Sequence, residues 1–198
     1  ELSNIVTTFN QNEIMVDTTH LLESLQVEEV TLQTLTEINE IPTTSLMLFN
    51  EHMANIIGGT DLIAFNHNPD SITKELMAAG LICMSDAPEP IALEKHLQRR
   101  EGYLSLPYYG CIIAIPAKGR TFTLNGYRLT TTGEILYRML MAQNSEERGY
   151  KITVEEAKAF IQQLMQLPTF ANISSVSFYR NKEGHFIYYE EIIIDRPH

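Results

Sequence analysis

The stretch Cys111-Ile-Ile-Ala-Ile-Pro-Ala-Lys-Gly-Arg-Thr-Phe-Thr-Leu124 carries the strongest β-strand signal in the chain. Its two ends, 111–116 and 121–124, are rich in β-branched and aromatic residues, which favour strands. Gly119 lies between them and can adopt the positive φ that a tight turn needs. The pattern predicts a β-hairpin with Lys118, Gly119 and Arg120 at its exposed tip.

A helix is predicted on each side of this hairpin. Residues 72–79 form a compact helical pattern that ends at Gly80, and an apolar extended segment follows it. After the hairpin, Leu129-Thr-Thr-Thr-Gly133 leads into a second helix. Either Thr130 or Thr131 can be its N-cap, and Thr131 and Glu134 have the spacing of a capping box. Residues 85–108 contain three prolines and a basic patch, and they are predicted to form a long excursion with one helix at 93–99.

The order of elements from 42 to 142 resembles the winged-helix family, particularly its multidrug-resistance-regulator and PadR-like branches. In that family a Leu-x-x-x-Gly-Leu-Ile element ends the recognition helix, a hairpin forms the wing, and a Leu-Thr-x-x-Gly element opens the next helix. Here Leu76-Met-Ala-Ala-Gly80-Leu-Ile82 and Leu129-Thr-Thr-Thr-Gly133 occupy those places. Similar elements also occur in uncharacterised bacterial families for which no DNA target is implied. About 46 residues separate Ile82 from Leu129, more than a wing requires, so an insertion is expected at 85–108.

The sequence therefore predicts an α+β fold with a winged-helix-like helical core and a β-hairpin wing, plus a C-terminal helix and β-hairpin. Residues 1–143 are assigned to the winged-helix-like domain, and its acidic N-terminal helices are expected within 17–57. Residues 150–198 are assigned to an α-β-β module, which can also pack on the first domain as one unit. A capping box at Thr153 and Glu156 opens the helix of this module, and two aromatic-rich strands follow it.

Charge is distributed unevenly along the 198 residues, whose formal net charge is −11. No Lys or Arg precedes Lys74, whereas the same stretch contains eleven carboxylates; residues 95–138 are locally basic. A nucleic-acid backbone would be repelled by the first part and attracted by the second. The overall balance disfavours nucleic acid as a partner and favours a protein partner or a second copy of the chain.

The winged-helix resemblance implies where a nucleic acid or a partner would bind. The recognition helix would offer Ser71, Thr73 and Lys74, and the wing would offer Lys118 and Arg120 with support from Arg128. Asp70 and Glu75 flank Ser71, Thr73 and Lys74. Their negative charge makes binding of this helix in a nucleic-acid groove less favourable. A simpler alternative is that Lys118 and Arg120 are charged because a hairpin tip is solvated.

The sequence contains none of the common motifs that mark catalysis. The sequence contains no phosphate-binding glycine loop, dinucleotide fingerprint, nucleophile elbow or zinc spacing, so no catalytic residue, cofactor or metal ligand is assigned. The nearest approach to a metal cluster consists of acidic and imidazole side chains at Glu51, His52, Asp61, His67 and Asp70. Asp70 is explained more simply as a helix cap. Cys83 and Cys111 are both predicted to be reduced, buried thiols.

The C-terminal aromatic residues have two interpretations. Tyr179, Phe186, Tyr188 and Tyr189 either pack into a core or line an exposed strand edge used for dimerisation. Together these patterns predict a non-catalytic regulatory or assembly module that acts through protein–protein contacts or self-association. The alternatives are a DNA- or RNA-binding winged-helix regulator and a metal-dependent hydrolase. Apolar runs of about five residues are too short to span a membrane, and no secretory signal is visible, so a cytoplasmic location is expected.

Overall fold

The computed structural model describes residues 32–93, 98–100, 102–108, 111–117, 120–148, 153–182 and 185–196. The helical prediction for 17–31 and the hairpin-tip residues Lys118 and Gly119 lie outside these ranges. The chain divides into two compact units, the first formed by 1–89 and 126–149 and the second by 90–125 and 150–198. Mixed helices and antiparallel sheets confirm the predicted α+β class.

Four helices are described in the first unit: α1 (Leu32–Glu40), α2 (Thr43–His52), α3 (Ser71–Ala78) and α4 (Thr131–Arg148). Two short strands, β1 (Ile56–Ile57) and β2 (Asp61–Ile63), pair antiparallel across Gly58 and Gly59, which both have positive φ. The end of β7 (Thr123–Arg128) pairs antiparallel with β2. The buried core of this unit contains apolar side chains from all four helices and from the segment that follows α3. Among them are Ile38, Leu46, Leu76, Leu81 and Leu136.

Local signals set the ends of α3 as predicted. Asp70 is the N-cap, and its carboxylate accepts a hydrogen bond from the Thr73 backbone N–H at 2.8 Å. Gly80 has a φ of 72°, a left-handed conformation that favours glycine and ends the helix. Leu81 and Ile82 then enter the core, and Ile82 forms an isolated antiparallel bridge with Leu129.

The structure distinguishes the two predicted N-cap candidates of α4, Thr130 and Thr131. Thr130, rather than Thr131, caps the helix, since its hydroxyl oxygen accepts from the Gly133 backbone N–H at 3.1 Å. The same hydroxyl donates to the Gly80 carbonyl at 2.6 Å, and the Thr130 backbone N–H donates to the Leu81 carbonyl at 3.1 Å. These bonds connect the end of α3 to the beginning of α4.

A five-stranded antiparallel sheet forms the second unit, in the order β4-β5-β6-β8-β9. Its strands are β4 (Gln98–Arg100), β5 (Tyr103–Tyr108), β6 (Cys111–Pro116), β8 (Ser175–Lys182) and β9 (His185–Ile193). One face carries buried side chains, which include Leu104, Ile113, Ile115, Val176 and Phe178. Helix α5 (Val154–Met165) supplies a buried apolar stripe to the same unit, and its predicted capping box at Thr153 and Glu156 is present.

The predicted hairpin of 111–124 is wrong. Strand β6 pairs with β5 and β8, whereas β7 belongs to a different, four-stranded sheet with the order β1-β2-β7-β3, in which β3 is Glu89–Ala92. The physical reason is burial: β6 is almost continuously apolar and occupies the centre of a sheet, where it has a neighbour on each side. The strand signal was therefore correct, but the choice of neighbour was not. A helix predicted at 93–99 is also wrong at its end, because 98–100 are β4.

An insertion lies between β3 and β7, but its bounds differ from the expected 85–108. Since β3 neighbours β7, residues 93–122 are inserted between two adjacent strands of one sheet, and they provide β4, β5 and β6 of the other. As a result 90–125 group with 150–198, whereas the sequence placed them in a domain ending at 143. The C-terminal helix and β-hairpin of the prediction are confirmed as α5, β8 and β9.

Candidate interaction surface

The recognition-helix candidates do not form a single polar face. Ser71 and Lys74 are exposed on α3, but Thr73 is only 6% exposed. Its backbone N–H and its hydroxyl both donate hydrogen bonds to the Asp70 carboxylate as part of the helix cap. Thr73 therefore stabilises the start of α3 and is not available to contact a groove.

The wing candidates are divided between the two units. Arg128 is exposed on β7 in the first unit, where it lies opposite Asp61 in the strand register. Arg120 is exposed in the second unit, and Lys118 lies outside the described residues. The predicted hairpin does not form, because β6 and β7 belong to different sheets.

The acidic and histidine residues considered for a metal have other local roles. His52 Nδ1 lies 2.9 Å from the Leu48 carbonyl oxygen, Asp61 accepts from the Thr60 hydroxyl at 2.6 Å, and Asp70 caps α3. Within the described part of the chain, no three His, Cys, Asp or Glu side chains are grouped so that they could hold a metal ion.

Asp70, His52 and Tyr127 influence one another electrostatically in the first unit. Burial opposes ionisation of Asp70, but the hydrogen bonds from Thr73 and the charge of His52 outweigh it and lower the pKa of Asp70. Burial and, secondarily, the Asp70 carboxylate raise the pKa of Tyr127, whose buried hydroxyl has no hydrogen-bond partner among the described atoms.

The two cysteines have different environments. Cys83 is exposed, contrary to the prediction, and its Sγ lies 3.6 Å from the Leu129 carbonyl oxygen. Cys111 is buried as predicted, and both are free thiols. Burial raises the pKa of the Cys111 thiol, although the adjacent Arg180 guanidinium opposes this shift.

Exposed apolar side chains are concentrated on β9. Eight large hydrophobic side chains are exposed in the described part of the chain, and five of them lie on this strand. They are between 50% and 62% exposed: Phe186, Ile187, Tyr188, Tyr189 and Ile193. Isolated exposed apolar residues are ordinary, whereas a contiguous group marks an interaction surface.

The position of α5 explains why one half of the hairpin is covered and the other is not. Lys158, in the second turn of α5, forms an ion pair with Glu190 at 3.1 Å. Beyond that point towards the chain's end, Ile192 and Ile194 are buried. In the other direction, residues 185–189 are all exposed. We call residues 185–189 the β9 edge segment.

A β-bulge lies at the boundary between these halves. Glu190 is opposite Phe178 and Tyr188 is opposite Tyr179, so Tyr189 is an additional residue on β9. Tyr188 and Tyr179 make an edge-to-face contact with ring centroids 5.7 Å apart. Tyr189 contacts the Phe178 ring at 6.2 Å and lies under the Arg180 guanidinium at 5.4 Å. The bulge thus presents aromatic rings on both faces of the hairpin.

The outer edge of β9 is protected at only one end. Gln162 of α5 donates to the Ile193 carbonyl at 2.6 Å and accepts from the Asp195 backbone N–H at 3.0 Å. Gln166 donates to the Asp195 carbonyl at 2.8 Å. Along the β9 edge segment, no described element pairs with the outer edge, because β9 is the last strand in the sheet order. Its outward backbone groups are therefore available to another strand.

A cavity of about 500 Å³ opens beside this segment at the start of α5. It is lined by Thr153, Val154, Glu155, Lys158, Arg180, Tyr189 and Glu190. Two cations and two carboxylates share the lining, and the Glu190 Oε1 atom is buried with no hydrogen-bond partner among the described atoms. The mixed charge fits a polar rim beside an apolar contact surface better than it fits a site for one sign of ion.

Sequence reasoning identified part of this surface. It singled out Phe186, Tyr188 and Tyr189 and gave an exposed strand edge as one of two interpretations, but it did not include Ile187 or Ile193. The signal that could have added them is the near-continuous run of large apolar residues on β9, which strict in–out alternation of a half-buried strand would not require.

Comparisons of this chain with known protein families, with curated proteins and with solved structures find no match. None of the described helices combines the length and the apolar character needed to cross a membrane.

Proposed function

We propose that the protein is a non-catalytic assembly module that binds a protein strand through the β9 edge segment. The observation that carries this proposal is that four of the eight large apolar side chains exposed in the described part of the chain are consecutive residues of this segment. A partner strand would continue the five-stranded sheet by pairing with the outer edge of β9, which is the mode of recognition called β-augmentation.

Two kinds of interaction would stabilise such a complex. Backbone hydrogen bonds to the open edge contribute about 0.5–1.5 kcal/mol each. Covering the exposed halves of Phe186, Ile187 and Tyr188 contributes roughly 1 kcal/mol for each side chain, on the basis of the area removed from water. The backbone provides affinity for any strand, and the aromatic side chains select apolar partners.

The position of the segment also supports binding without loss of the fold. The hydrogen bonds of Gln162 and Gln166 in α5 reach the backbone of residues 193 and 195, so a partner strand could pair along the β9 edge segment without displacing them. The ion pair of Lys158 with Glu190 and the hydrogen bonds of Gln162 hold the adjacent half of β9 in place. The segment is therefore presented on a fixed support, which lowers the entropy lost on binding.

The test is a selection of short peptides from a random displayed library on the full chain. Selected peptides are expected to bind the wild type and to lose binding to Ile187→Lys, which places a charge on the open edge. Met84→Lys is the matched control, because Met84 is 81% exposed, is apolar, and lies in the first unit. The proposal is refuted if no peptide is selected, or if the selected peptides bind Ile187→Lys as well as they bind the control.

A further inference from the structure

We infer that the strand received by the β9 edge segment is the same segment of a second copy of this chain, arranged antiparallel about a two-fold axis near Ile187. This inference rests on the proposed function and specifies its partner. In this arrangement the five-stranded sheets of two copies form one continuous sheet, and the interface is isologous.

The protected end of β9 selects the antiparallel orientation. Gln162 and Gln166 occupy the backbone of residues 193–195 on each copy. In a parallel, in-register pair these two protected ends would lie side by side and compete for the same space. In an antiparallel pair centred on Ile187 they point away from the axis in opposite directions, and only the open segments meet.

The distribution of charged residues along β9 favours the same antiparallel orientation. The β9 edge segment contains no Asp, Glu, Lys or Arg, whereas Glu190 and Glu191 follow it directly. A parallel copy would set these carboxylates beside their own counterparts, and like charges opposite one another in a sheet are destabilising. An antiparallel copy centred on Ile187 does not set Glu190 and Glu191 beside their own counterparts.

The apolar residues of the segment are compatible with self-pairing. With Ile187 on the axis, Phe186 of one copy lies opposite Tyr188 of the other, and the reverse pair forms on the far side of the axis. Residues 186 and 188 project to the same face of a regular strand, so both pairs lie on one face of the joined sheet. Aromatic pairs across neighbouring strands are among the stabilising pairs of a sheet.

Sedimentation velocity over a concentration series tests the association. The wild type is expected to show a monomer–dimer equilibrium, and Ile187→Lys is expected to weaken it at least tenfold because two lysines meet at the axis. Tyr188→Lys is a second variant for the same measurement, since both side chains are about half exposed and neither is needed for the core. Ile193→Lys is the matched control on the protected half of the same strand and is expected to change the dissociation constant less than twofold.

The orientation is tested by a spin label on cysteine at position 193, in a Cys83→Ser background that removes the exposed native thiol. An antiparallel pair centred on Ile187 separates the two labelled backbones by twelve residues of strand, or about 40 Å at about 3.3 Å per residue. A parallel in-register pair brings them to about 5 Å. Electron–electron distance measurements separate these outcomes.

Three results would overturn the inference. A chain that stays monomeric while its selected peptides bind and lose binding to Ile187→Lys would overturn the second copy as partner and leave the proposed function in place. A dimer that Ile187→Lys and Tyr188→Lys both leave intact would show association through another surface. A short label distance would exclude the antiparallel arrangement. Failure of the peptide selection together with a monomeric chain would refute the proposed function as well.

Discussion

Replacing Gly133 by alanine tests the close approach between α4 and the turn that follows α3. A Cβ atom built on Gly133 would lie 2.1 Å from the Leu81 carbonyl oxygen and 3.1 Å from the Leu81 carbonyl carbon. Ordinary carbon–oxygen contacts need more than 3 Å, so the backbone around Leu81 must move by about an ångström. That carbonyl also accepts the Thr130 N–H, and moving it weakens the bond that connects the two helices.

The expected net effect of Gly133→Ala is a loss of about 1–3 kcal/mol in the free energy of unfolding. Overpacking a tight site costs about 1–3 kcal/mol, and weakening the backbone hydrogen bond costs roughly another 1 kcal/mol. Alanine regains about 1 kcal/mol because it is a better helix former than glycine. For a chain of this length a loss of about 2 kcal/mol lowers the melting temperature by roughly 6 °C.

Urea denaturation followed by far-ultraviolet circular dichroism measures this change, and amide hydrogen exchange in α4 locates it. Gly80→Ala is the control, because Gly80 has a positive φ but no heavy atom within 4 Å of a built Cβ. Its cost is conformational and about 1–2 kcal/mol. If Gly133→Ala is as stable as the wild type, or more stable, the close approach and the role given to this glycine are wrong.

Three further predictions concern single side chains. Thr153→Ala is expected to lose about 1 kcal/mol in urea denaturation by removing the capping box of α5, whereas Thr153→Ser is expected to retain it; equal losses would contradict the cap. Iodoacetamide at pH 8 is expected to alkylate Cys83 before Cys111, which is buried and has a raised pKa; mass spectrometry showing equal rates would contradict this order. The pKa of Asp70 is lowered in the folded state, so its contribution to stability is present above its ordinary pKa and is lost as the pH falls through the lowered value. Asp70→Asn is expected to remove the part of the acid-induced loss of stability that comes from this carboxylate. If the melting temperature of the variant depends on pH as that of the wild type does, this expectation is wrong.

The parts of the fold that the sequence predicted are those governed by local chemistry. Gly80 ends α3 because a left-handed residue is needed there, and Thr153 with Glu156 opens α5 because both partners lie within one turn. The neighbours of β6 could not be predicted in the same way, since Cys111 pairs with Arg180 from a strand almost seventy residues later. A strand pattern specifies burial, but the choice of partner depends on contacts between distant segments.

The same distinction applies to the candidate site. Phe186 and Tyr188 are recognisable in the sequence as aromatic residues of a strand. The in–out alternation of a strand, however, predicts that half of its side chains face a core. The bulge at Tyr189 and the starting point of α5 decide how far that alternation applies, and neither is encoded in β9 itself. The winged-helix resemblance implies a shared binding role for Lys74 and Arg128, yet no feature of the described structure joins them into one surface.

The distribution of protection along β9 gives the strongest argument that its open half has a role. Folded proteins protect sheet edges with charged residues, bulges, and covering by helices or loops. Strand β9 has all three in its second half: Glu190 and Glu191, the bulge at Tyr189, and the glutamines of α5. Residues 185–188 have no Asp, Glu, Lys or Arg, no bulge and no described element on their outer edge, although a lysine at Ile187 would protect this stretch and, at a half-exposed position, would leave the core unchanged. A strand that is protected over one half and open over the other is the form expected of an edge that binds a limited length of partner, and it is the reason that Ile187→Lys should abolish association while the protein remains folded.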